Sequence, residues 1–141
     1  MKIEEVRRIT GFLLLVVLLL LNGCNAAHDR ADAQALAKNI HEQMRAGDYK
    51  SVYEGSDPTF QKVGTESEFV KTMKALSEEY GNLKVVTEVA YEMRVESGSG
   101  RTHVLVFDLE FDNTKAREEM GFTRSNDGRL QLSELTFEPA N

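Results

Sequence analysis

The residues of this chain that could do chemistry are few and scattered. Cys24 is its only cysteine, so no internal disulfide can form and no paired-thiol redox or zinc motif exists. His103 shares a face with Leu105 and Phe107 in an alternating stretch. Tyr49, Tyr53, Tyr80 and Tyr91 could reach the same interior, and a histidine beside a tyrosine can act as an acid/base pair. No carboxylate on that strand is in phase with His103, because Asp108 and Glu110 point to its other face. A histidine at the sheet margin, hydrogen-bonded or solvated, is therefore the reading preferred over a catalytic base. His28, Asp29 and Asp32 form a second cluster, with His28 and Asp32 at helical i, i+4 spacing. They fit a solvated helix start with acids near its positive end better than a metal site. There is no glycine-rich phosphate loop, no His-Glu-x-x-His and no Gly-x-Ser-x-Gly. The residues thus name no catalytic set, no metal and no cofactor.

Cys24 gains meaning from what precedes it. Residues 1–10 carry Lys2, Arg7 and Arg8, and residues 11–21 are an apolar run ending at Asn22-Gly23. A helix rises about 1.5 Å per residue, so this run falls well short of the ~30 Å hydrocarbon core. A basic head followed by a short apolar core reads as a secretory signal. The ending Leu21-Asn22-Gly23-Cys24 resembles the lipobox of bacterial lipoproteins. That resemblance implies cleavage between Gly23 and Cys24 and acylation of Cys24, with diacylglyceryl on the thiol and a further acyl chain such as palmitate on the amine. It places the protein in the cell envelope, lipid-anchored outside the cytoplasm. Asn25 lacks the aspartate that resembles an inner-membrane retention signal, so in a Gram-negative cell the outer membrane, periplasmic side, is expected.

The expected organisation is a signal peptide over 1–23, a lipidated tether over 24–31 and one domain over 32–141. Removing residues 1–23 takes three basic and two acidic residues from totals of 17 and 23. The remainder has 14 and 21, a net charge of −7. Such a surface repels phosphate backbones, which argues against nucleic acid as a partner.

Hydrophobic spacing supplies the elements that must position any site. Ala33, Leu36, Ala37, Ile40 and Met44 predict a helix over 31–46, with Lys38, Glu42 and Arg45 facing away. Asp48 starts a short helix to Glu54, and residues 59–63 make a turn with Phe60 inward. Thr65 and Glu68 form a capping box opening a helix to Tyr80 that buries Phe69, Met73 and Leu76. From Asn82 the period becomes 2. Leu83, Val85, Thr87, Val89, Tyr91, Met93 and Val95 form one face of a first strand, and His103 to Phe111 follow in a second. Residues 116–124 and 129–138 complete the set, with an Asn126-Asp127-Gly128 turn between them and a bulge expected near Ser133-Glu134. Short turns force antiparallel neighbours, so the class is α+β: N-terminal helices packed on a curved four-stranded antiparallel meander.

This order resembles the cystatin-like cone shared by nuclear transport factor two, the ketosteroid isomerases and the limonene epoxide hydrolases. The matching pieces are Ala46-Gly47-Asp48-Tyr49-Lys50-Ser51-Val52-Tyr53, then Phe60, Ser67-Glu68-Phe69, Tyr80-Gly81 and the hairpin Asn126-Asp127-Gly128-Arg129-Leu130-Gln131-Leu132. The final hairpin of many relatives carries a tryptophan after its glycine, where this chain has no tryptophan. The resemblance implies a cavity in the cone, for which Tyr53, Phe60, Met73, Tyr91, His103 and Phe107 are the expected lining. It also implies frequent dimers through the sheet face. The functional expectation is a non-catalytic binding module for a small apolar ligand or an envelope protein. An isomerase- or hydrolase-like enzyme using a His/Tyr pair is the alternative, and a packed structural protein of the envelope is the third.

Overall fold

A computed structural model describes residues 28–96 and 100–140. Cys24, the expected cleavage site between Gly23 and Cys24 and most of the expected tether lie outside the described residues. The chain divides into two units, Met1–Asp32 and Ala33–Asn141. In the first, His28 and Asp32 form an exposed i, i+4 ion pair at 3.3 Å.

The elements run in the expected order. Helix α1 covers residues 28–46, α2 Tyr49–Glu54, α3 Pro58–Gln61 and α4 Glu66–Tyr80. Strands β1 Leu83–Glu96, β2 Gly100–Phe111, β3 Lys115–Arg124 and β4 Leu130–Pro139 follow. The four strands form one sheet in the order β1-β2-β3-β4, all neighbours antiparallel. The fold class is α+β.

Local chemistry sets the boundaries. Thr65 and Glu68 close the capping box at the start of α4, each side chain bonding the other's backbone N–H. Gly81 ends the helix at φ 82, a conformation that side-chain-bearing residues avoid. A Cβ there would also lie 2.6 Å from the Asp112 Cβ. Asp112 is close because its Oδ2 accepts from the Asn82 backbone N–H at 2.8 Å and its Oδ1 meets Lys84 Nζ at 2.9 Å. Lys84 and the Asn82 amides hold the Asp112 carboxyl down at about 2. This latch ties the start of β1 to the β2–β3 turn. Gly81→Ala is expected to lower stability by about 1–2 kcal/mol, read as a reduced urea midpoint with an unchanged slope.

The core lies between α1 and one sheet face. Ala33, Ala37, Ile40 and Met44 of α1 pack against Leu105, Phe107 and Leu109 of β2, Met120 and Phe122 of β3, and Leu132 of β4. Lys38, Glu42 and Arg45 are exposed as expected. On the opposite face Arg94 reaches from β1 to Glu92 (2.5 Å), Glu119 (2.5 Å) and Glu134 (3.3 Å) on β4. It crosses the row in which buried Val104 pairs with Gly121. Gly121 lets β4 come close here, since a Cβ would sit 2.9 Å from that of Glu134.

The phase of β1 differs from the sequence reading. Register shifts at Lys84 and Val89 turn Val86 and Glu88 toward Leu109 and Phe107, and leave Val85 and Thr87 on the outer face. Each extra residue reverses an alternation whose period is 2. The shift expected near Ser133 is present: Gly121 pairs with Glu134 and Phe122 with Leu132, so Ser133 is the additional residue.

Candidate ligand groove

An apolar recess lies between α4 and the free edge of β4. It encloses about 460 Å³ and is lined by Tyr53, Phe60, Phe69, Met73, Leu76 and residues 133–137, among others. Val63, 89% exposed, stands at its rim.

The walls are fixed by short polar links. Asp57 is buried and bonds three ways. Its Oδ1 accepts from Phe60 N at 2.8 Å, capping α3, and its Oδ2 accepts from Thr123 Oγ1 at 2.8 Å. Its own N–H donates to Leu132 O at 2.8 Å. The side chain therefore pins α3 to β3 and sets where Phe60 stands, and the backbone N–H adds the tie to β4. Tyr53 OH donates to Gly64 O at 2.8 Å, holding the loop ahead of α4. The Tyr53, Phe60 and Phe69 rings pack at centroid distances of 5.5 to 6.4 Å, the spacing of mutually attractive aromatic pairs. The lining contains no lysine or arginine; its charged members are Glu68 and Glu134. Thr65, through its backbone N–H and then its hydroxyl, holds the Glu68 carboxyl below the usual range, so it stays ionised. Ser133 also lines the groove, and its Oγ is buried without a hydrogen-bond partner.

Three of the six expected lining residues, Tyr53, Phe60 and Met73, meet in this groove. The other three do not. Tyr91 and His103 form their own pair on the inner sheet face, Tyr91 OH lying 2.9 Å from His103 Nδ1 with the rings stacked. His103 is only 2% exposed, so it is a buried, hydrogen-bonded histidine rather than a solvated one. Phe107 lies edge-on to His41 at 4.9 Å and lines a smaller cleft of about 280 Å³ with Lys38, Arg45 and Glu88.

His41 and Glu118 were not singled out by the sequence analysis. His41 Nε2 lies 2.5 Å from Glu118 Oε2, with the side chains 3% and 0% exposed. Burial pushes the Glu118 carboxyl above its ordinary value, opposed by the bond to His41. Glu118 Oε1 has no hydrogen-bond partner. A signal for both existed: His41 falls one turn after Ala37 and three residues before Met44, and Glu118 is in phase with Met120 and Phe122. A carboxylate orienting an imidazole is also a catalytic arrangement, but no hydroxyl or thiol is bonded to His41 among the described residues. No group of three or more metal-ligating side chains occurs among them either.

No protein-family model and no curated protein matches this chain.

Proposed function

We propose that this chain is a lipid-anchored binding module of the bacterial cell envelope, non-catalytic, with the groove between α4 and β4 as its binding site. The observation that carries the reading is the groove itself, with aromatic and aliphatic walls held by part-buried hydrogen bonds. Preformed apolar recesses with a few polar groups are where proteins take up ligands. The anchor rests on the sequence ending at Cys24 and on the resemblance to the lipobox. The order of elements supports the likeness to the cystatin-like cone, whose members vary widely in function. No helix among the described residues is long and apolar enough to cross a membrane. On the resemblance to the lipobox, attachment is assigned to acyl chains on Cys24, two or more of which hold firmly where one is marginal.

Two measurements test the two halves separately. In cells fed labelled palmitate, the wild-type chain is expected to carry label, and Cys24→Ala to carry none and to leave the membrane fraction. Label retained by the variant would overturn the anchor. For the groove, the neutral apolar dye N-phenyl-1-naphthylamine is expected to bind saturably with Kd of about 1–10 μM. Thr72→Trp, which fills the groove from its exposed rim, is expected to weaken that binding by about tenfold or more. Equal binding by both proteins would remove the groove from the account.

A further inference from the structure

We infer that the occupant of this groove is an extended basic-apolar peptide segment of another protein, which pairs with β4 as a fifth strand. This rests on the groove being the binding site.

The backbone argument comes first. β4 is an edge of the sheet. Ala140 N donates to Lys115 O on the β3 side at 3.0 Å. In an antiparallel pair, hydrogen-bonded positions alternate, so residues 138 and 136 also face β3, while Leu135 and Phe137 turn their N–H and C=O away from it. Those four backbone groups point along the free edge, beside the groove that residues 133–137 line. Before the bulge the edge is occupied, because Leu132 O accepts from Asp57 N.

The comparison with the other edge comes second. Exposed edges are normally blunted by bulges, lysines or prolines. β1 has two register shifts and Lys84. β4 is bulged at Ser133 and capped by α3 only at its start. From Glu134 to Glu138 it has no lysine, no proline and no bulge, and Pro139 blunts only its last position. A strand added there would project alternate side chains onto Phe69, Met73 and Leu76.

Charge selects the occupant's side chains. The Glu68 carboxylate stands at the groove, Glu134 being held by Arg94 on the opposite face, and the whole chain carries a net −6. A lysine or arginine on the added strand meets the Glu68 carboxylate, and an acidic segment is repelled.

The test uses the full chain and isothermal titration with a capped six-residue peptide of alternating lysine and valine. Two derivatives are N-methylated on one or the other alternate set of amides, and a third carries glutamate for lysine. The parent peptide is expected to bind, and the glutamate version to bind at least about tenfold more weakly. One N-methylated phase should lose about tenfold or more while the other is unaffected, because only one phase of amides faces β4. Glu68→Gln keeps the capping box and is expected to weaken the basic peptide about threefold to tenfold. Parent-like binding by both methylated phases would overturn strand addition. Dye binding without peptide binding would make the occupant a small amphiphile, leaving the binding-module reading standing. A dimer that the peptide fails to dissociate would make it a second copy of the chain. Failure of dye and peptide together would overturn the groove itself.

Discussion

Replacing His41 with alanine is expected to lower stability by about 3–5 kcal/mol, the usual effect of removing one member of a buried ionisable pair. Glu118 is fully buried, and among the described residues His41 supplies its one side-chain hydrogen bond, at 2.5 Å. Without that imidazole both carboxylate oxygens would sit in an apolar core, since Oε1 already lacks a partner. Removing the polarity of both sites behaves differently. His41→Leu with Glu118→Leu is expected to recover most of the loss, because apolar replacements of buried pairs are often neutral or stabilising. The pair also carries a pH signature. Burial raises the native Glu118 pKa, so the stability it contributes is present below the ordinary glutamate range and is lost as pH rises through the native value. Glu118→Gln is expected to remove that decline, which sets in as pH rises above the ordinary glutamate range. Urea titrations of wild type and variants across this window check each statement, and a double variant no better than His41→Ala would contradict the unpaired-carboxylate explanation.

Asp57→Ala is expected to cost about 2–4 kcal/mol, combining the loss of a helix cap with the loss of a buried charge-assisted hydrogen bond. Asp57 Oδ1 caps α3 at Phe60, and Oδ2 takes the Thr123 hydroxyl. Its removal loosens α3 from β3 and leaves a part-buried hydroxyl without this acceptor. Because Phe60 forms part of the groove wall, the same variant is expected to bind N-phenyl-1-naphthylamine more weakly. Asp57→Asn, which keeps an acceptor for the cap, is expected to lose about 1 kcal/mol and to retain more dye binding. A folded Asp57→Ala protein with wild-type stability and wild-type dye affinity would show that α3 is held by something else.

The helices and the meander were legible because each announces itself locally. Ala33, Ala37, Ile40 and Met44 recur at helical spacing, Thr65 and Glu68 form a cap, and four alternating runs are divided by short turns. The bulge at Ser133 was readable because Leu130 and Leu132 are out of phase with Leu135 and Phe137. The bulges at Lys84 and Val89 were not, because β1 has apolar residues at both phases and either face could be the buried one. His41 and Glu118 occupy core phases, yet a search for apolar stripes passes over polar residues that a partner far along the chain makes tolerable in the core. The groove was only partly legible. Tyr53, Phe60 and Met73 meet there because α2, α3 and α4 are neighbours along the chain. Phe69, Leu135 and Phe137 join them because β4 is an edge strand beside α4, a matter of topology. Tyr91, His103 and Phe107 point inward as expected, but toward other partners along the sheet.

The central claim is that the groove between α4 and β4 holds a ligand in the cell. Native mass spectrometry of the full chain, extracted gently from its own membranes, tests it most directly when wild type and Thr72→Trp are measured side by side. The account predicts a noncovalent added mass on the wild type that vanishes on denaturation and is absent from Thr72→Trp. A wild type without added mass, or the same added mass on both proteins, would contradict it.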